Sequence, residues 1–168
     1  MEKMLKKIKK IMVVAAAAVT LSVGFATFAP KEASAHWADK QMNWAMSEGY
    51  LKSDMRDSLA TRQDAWLILS RYYGGKRDFS YEQARQFVKR NGISDGSRGT
   101  NWITRNEMVG MIYQKYNWTK AWTPEDGFSK ANAWGKARGL FDGTRGNDFA
   151  TRAEVITILY RHEFFWLY

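Results

Sequence analysis

Ala150-Thr151-Arg152-Ala153-Glu154-Val155-Ile156 decides how this chain is read, because the chain writes it three times. Its counterparts are Ala60-Thr61-Arg62-Gln63-Asp64-Ala65-Trp66 and Ile103-Thr104-Arg105-Asn106-Glu107-Met108-Val109. In each copy a glycine, Gly49, Gly92 or Gly139, stands twelve residues before the threonine. Self-similarity at fixed spacing is the mark of one supersecondary unit used repeatedly. The units run over about 36–74, 79–116 and 126–165.

Each unit reads helix, glycine, loop, helix. The first helices carry apolar residues at helical spacing: Met42, Ala45 and Met46; Ala84, Phe87 and Val88; Ala131, Trp134 and Ala137. The glycines then stop them as C-caps. Trp44, Phe87 and Trp134 each stand five residues before that glycine and read as core. The second helices open on Thr-x-x-acid, the capping-box pattern, in which threonine takes a helical amide and the carboxylate reaches back to the cap amide. Behind the boxes run inward stripes: Ala65, Trp66, Leu69 and Tyr73; Met108, Val109, Ile112 and Tyr116; Val155, Ile156 and Leu159. The chain therefore reads as all-α.

Capping explains the threonine and the acid, but not Arg62, Arg105 and Arg152. A cation at the first helical position opposes the helix dipole by roughly 0.3–1 kcal/mol. Two explanations compete: an anion site built from guanidinium and free helical amides, or an ion pair between repeats. The recurrence favours the anion site. The loops add Asp95-Gly96-Ser97-Arg98-Gly99 and Asp142-Gly143-Thr144-Arg145-Gly146. Their glycines would free the backbone to approach a ligand, with Arg98 and Arg145 in the same turn; a tight turn with a solvated arginine is the alternative. A calcium loop is a poor reading, because its oxygen ligands are too few. The first unit has Lys52-Ser53-Asp54-Met55-Arg56-Asp57 there, without the glycine pair and with added negative charge.

Residues 1–35 differ from the rest. Lys3, Lys6, Lys7, Lys9 and Lys10 precede an apolar, alanine-rich run from Ile11 to Ala29, then Pro30 and Ala33-Ser34-Ala35. This reads as a secretory signal peptide cleaved before His36; an uncleaved anchor is the alternative. Of the 26 Lys and Arg and 17 Asp and Glu, the leader holds six and two. The remainder is therefore 20 against 15, a formal +5. That field suits an anionic wall polymer, and export argues against nucleic acid. Without cysteine there is no disulfide, thiolate metal site, thiol nucleophile or lipidated-cysteine anchor. His36 and His162 are the only histidines, and no nucleophile, base and acid set or metal cluster is legible, so catalysis is not expected.

His36-Trp37-Ala38, Trp44-Ala45, Gly139-Leu140 and the Ala-Thr-Arg-x-Glu stretch resemble the S-layer homology family over essentially all of 36–166. The third unit matches best and the first most loosely. The family's longer loop, with its Gly-Tyr-x-Asp-Gly-Thr-Phe-x-Pro stretch, is reduced here to Asp-Gly-Ser/Thr, a compact variant. The resemblance implies a pseudo-threefold, three-pronged domain with the first helices in a central bundle and grooves between prongs. It implies non-covalent binding to secondary cell-wall polysaccharide of a Gram-positive-type envelope, often through a pyruvylated aminosugar. Arg62, Arg105, Arg152, Asp95, Gly96, Asp142 and Gly143 match the family's motif positions. Trp37 and Trp102 would offer an aromatic wall, although Trp102 has no counterpart in the family pattern. A monomer with no cofactor and no metal, secreted to the cell surface, is expected. The rival expectations are a protein-binding module using Trp118, Trp122 and the Phe164-Phe165-Trp166 tail and, behind it, a wall-active hydrolase.

Overall fold

The computed structural model describes residues 35–165 as six α-helices, with no strand among them. They are α1 (Asp39–Ser47), α2 (Arg62–Tyr73), α3 (Tyr81–Arg90), α4 (Arg105–Asn117), α5 (Ser129–Ala137) and α6 (Arg152–Glu163). All but the last residue of the expected signal peptide, together with Trp166 of the tail, lies outside the described residues.

Local sequence sets both ends of these helices. Gly49, Gly92 and Gly139 have φ of 76°, 65° and 63°, the left-handed region that glycine enters without penalty. The residue after each glycine donates its amide 2.9 Å back to the carbonyl of Ala45, Val88 or Gly135, which closes a Schellman motif. Thr61, Thr104 and Thr151 make reciprocal capping boxes with Asp64, Glu107 and Glu154. A fourth box, Ser80 with Gln83, opens α3.

The units are exchanged with one another rather than self-contained. α3 packs on α2, α5 on α4, and α1 on α6. Each first helix thus lies against the second helix of the preceding unit, and the first unit closes on the third. The second helices are the inner ones, which corrects the expectation of a bundle centred on the first helices. Met42 and Ala45, Ala84 and Val88, and Ala131 and Gly135 are the buried positions of α1, α3 and α5. By contrast α2, α4 and α6 bury residues around most of their circumference, Ile68, Leu69, Met108, Ile112, Ile156 and Leu159 among them. The Thr-Arg-acid helices have apolar residues on more than one face, so they fit the middle. Trp44, Phe87 and Trp134 pack against the core from its edge, only partly buried, and Tyr116 is exposed.

A triangle of backbone hydrogen bonds pins the loops before the inner helices. The Ala60 amide donates to the Ala150 carbonyl at 3.0 Å, Ala150 to Ile103 at 2.8 Å, and Ile103 to Ala60 at 2.9 Å. Ala60, Ile103 and Ala150 are fully buried, so the triangle is sealed from water.

Candidate functional site: an inter-repeat groove walled by tryptophan

The inner-helix N-termini are occupied by neighbouring repeats. The Arg62 and Gln63 amides donate to the carbonyls of Asn101 and Gly99, both at 2.9 Å. Arg105 and Asn106 do the same to Asp148 and Gly146, and Arg152 and Ala153 to Ser58 and Arg56. With the capping threonine on the next amide, the free helical amides expected from the sequence are already satisfied.

The motif arginines point the same way around the ring. Arg62 Nη1 donates to Glu107 Oε1 at 2.6 Å, its Nε to the Ser97 carbonyl at 3.0 Å, and its Nη2 to Asp95 at 3.2 Å. Arg105 binds Glu154 and donates to the Arg145 carbonyl at 3.2 Å. Arg152 approaches Asp64 at 3.6 Å. Each acid divides its oxygens: Glu107 Oε2 holds the Thr104 amide and Oε1 the arginine, and Glu154 repeats the division. Arg62 and Arg105 are buried. Of the two explanations open from sequence, the inter-repeat ion pair is the one the geometry contains.

The loop glycines also serve the fold. A Cβ on Gly99 would meet the Trp66 ring at 3.0 Å, and one on Gly146 would meet Asn106 Oδ1 at 2.1 Å. Their closeness is to protein, not to open space for a ligand. Gly96 and Gly143 supply φ of 71° and 81°. Burial would raise the Asp95 carboxyl, but the Ser97 amide and hydroxyl with Arg62 outweigh it and hold it low. Asp142 is held low chiefly by the Thr144 amide.

One stretch of this ring opens into a groove of about 860 Å³, within the range of small-ligand sites. Arg62, Asp95 and Glu107 lie on its floor, and Arg98 stands at its edge, with 60 % of its side chain exposed. The opposite wall is the α4–α5 connection, with Trp118, Lys120, Trp122 and Phe128. Trp118 is 74 % exposed and Trp122 52 %. Lys120 makes no hydrogen bond or ion pair among the described residues. The wall lies close because residue 110 is glycine: a Cβ there would sit 2.9 Å from Phe128 and 3.1 Å from Ala121. Floor and wall together offer aromatic faces, two exposed cations and a hydrogen-bonding base.

Of the residues expected to bind, the groove gathers Arg62, Asp95 and Arg98. Arg105, Asp142, Gly143 and Arg145 belong to the equivalent place one repeat on, and Arg152 to the closure of unit three on unit one. Trp37 and Trp102 are exposed but do not line the groove. Trp37 stacks on His36 and Trp102 bridges to Thr61. Sequence reasoning set Trp118 and Trp122 aside as a surface for other proteins and passed over Lys120. The available signal was the long α4–α5 connection, which interrupts the repeat with two tryptophans.

No protein-family model matches the chain, and no curated protein matches it.

Proposed function

We propose that this chain is a non-covalent binder of acidic cell-wall polysaccharide, acting at the cell surface after export. Its recognition site is the groove between Arg98 and the Trp118–Phe128 segment. The resemblance of the three repeats to S-layer homology units supports this reading, as does the positive charge outside the leader.

Trp118 is the observation that carries it. It caps α4 with φ 54° and ψ 34°, a left-handed conformation. A residue with a Cβ pays about 1–2 kcal/mol there, and glycine is the usual occupant. A tryptophan held in that conformation with most of its surface in water contributes little to the core. Its ring, with Lys115 Nζ 4.8 Å from the centroid, is instead available to stack on the apolar face of a sugar. Arg98 and Lys120 supply the charge for a carboxylate, and Arg98 can form a two-pronged contact. The buried Arg62–Glu107 pair holds the floor rigid.

The test is co-sedimentation of residues 36–168 with purified wall sacculi, before and after acid removal of the attached polysaccharide. Binding should be lost with the polysaccharide and should weaken as salt rises. Trp118→Gly should cut binding roughly tenfold or more, about 1.4 kcal/mol, while the thermal midpoint holds or rises. Equal binding to stripped sacculi, or normal binding by Trp118→Gly, would sink the reading. Capture of surface proteins but not polysaccharide would favour a protein-binding module instead.

A further inference from the structure

We infer that the three repeats do not offer three sites: one groove is open, and the side chain eleven residues before the motif arginine decides which. That position is Leu51 in the first unit, Ser94 in the second and Phe141 in the third. This rests on the wall-binding reading and adds its stoichiometry and its determinant.

Leu51 and Phe141 are buried members of the hydrophobic core. At the position that Ser94 holds in the second unit, the other two units therefore place buried hydrocarbon. Ser94 is equally buried but small and polar. Its hydroxyl accepts from the Gly96 amide at 3.3 Å and lies 3.4 Å from Arg62 Nη2. The volume that leucine or phenylalanine would take is left to the groove, of which Ser94 is a lining residue.

The far wall follows the same division. The segment Trp118–Phe128 lies against Gly110, which stands five residues after Arg105. The equivalent residues are Leu67 and Thr157. With a Cβ already 2.9 Å from Phe128 at Gly110, neither larger side chain could accept such a segment so closely. The α2–α3 connection is also shorter, Gly74 to Ser80, and carries no tryptophan. The groove-edge cation is absent from unit one, where Met55 shares the left-handed backbone of Arg98 and Arg145. Small floor, admitted wall and edge cation coincide in unit two alone.

The ligand class that fits is a short segment of acidic glycan, one per chain. The chain is then a monovalent binder, unable to cross-link wall polymers through its own repeats. Isothermal titration of residues 36–168 with short, carboxylate-bearing oligosaccharides released from the wall by mild acid should give a stoichiometry of one. Ser94→Leu, which fills the space, should weaken binding at least tenfold with an unchanged helical circular dichroism spectrum. Ser94→Ala, which keeps the space, should bind within about threefold of the parent and controls for loss of the hydroxyl. A stoichiometry of two or three, or a folded Ser94→Leu that binds normally, overturns the inference while wall binding stands. Equal losses for Ser94→Ala and Ser94→Leu also overturn it, because the hydroxyl rather than the space would then matter. Failure of the parent chain to bind any wall fraction overturns both readings together.

Discussion

Arginine in this protein takes two roles that the sequence writes alike. Arg62 is buried against Glu107, whose side chain is only 12 % exposed. Removing one partner of such a pair leaves an uncompensated buried charge and costs about 3–5 kcal/mol. Arg62→Ala should therefore lower stability by that order in urea denaturation, and Arg105→Ala should do the same. A midpoint unchanged by both would show the pairs to be incidental. Arg98 touches the same Glu107 from outside at 3.3 Å. As an exposed partner it contributes little to stability, so Arg98→Ala should keep the midpoint and weaken polysaccharide binding. The sequence weighed the motif arginine against its own helix, where a cation at the first position is unfavourable. Its partner acid lies 45 residues away, on the next unit, and that pairing is legible only once the order of units around the ring is known.

At the scale of the element, local chemistry was the readable part. Capping boxes and left-handed glycines are signals of a few residues, and all three copies of each form as the pattern implies. Thr104→Ala should cost about 1 kcal/mol, within the 0.5–2 range for lost N-caps, by the same denaturation assay. Gly135 makes a different demand. A Cβ there would lie 2.6 Å from Val109 Cγ1, a contact between α5 and α4. Gly135→Ala should destabilise the fold despite alanine's better helix propensity; a stabilised variant would show that the two helices can separate without cost. Which helices lie inside was harder to read. The first helices keep one buried edge, Met42 and Ala45 in α1, whereas the apolar residues of the second spread around the axis. That difference is in the sequence, but family resemblance pointed to the opposite layering. The groove was least legible, because its wall comes from the connection that breaks the repeat, and a search for recurrence passes over whatever occurs once.

At the largest scale, the six described helices form a closed ring, with α1 returning to pack on α6. Each first helix depends on a neighbour for its buried face, so truncation after residue 125 should leave α1 and α4 uncovered and the product aggregated. A cooperative two-unit fragment would refute that dependence. The ring also brings all three units together around His162, near the C-terminal ends of the inner helices. Its ring lies 6.4 Å from those of Tyr72 and Trp134 and 6.2 Å from Tyr116, and Nε2 is 3.4 Å from the Tyr73 hydroxyl. Burial lowers the His162 pKa, Arg138 lowers it further, and the neighbouring Glu163 opposes them. The folded state thus binds a proton less readily than the unfolded chain, whose histidine titrates near 6.5. Stability from this site is fully present above the unfolded pKa and is lost as pH falls from there toward the folded one. The thermal midpoint should begin to drop as pH falls below the unfolded value of about 6.5, above the range in which ordinary carboxylates titrate. His162→Gln, which keeps a polar group toward Tyr73 but cannot take up a proton, should flatten that part of the curve. A profile equally steep in His162→Gln would assign the pH dependence elsewhere.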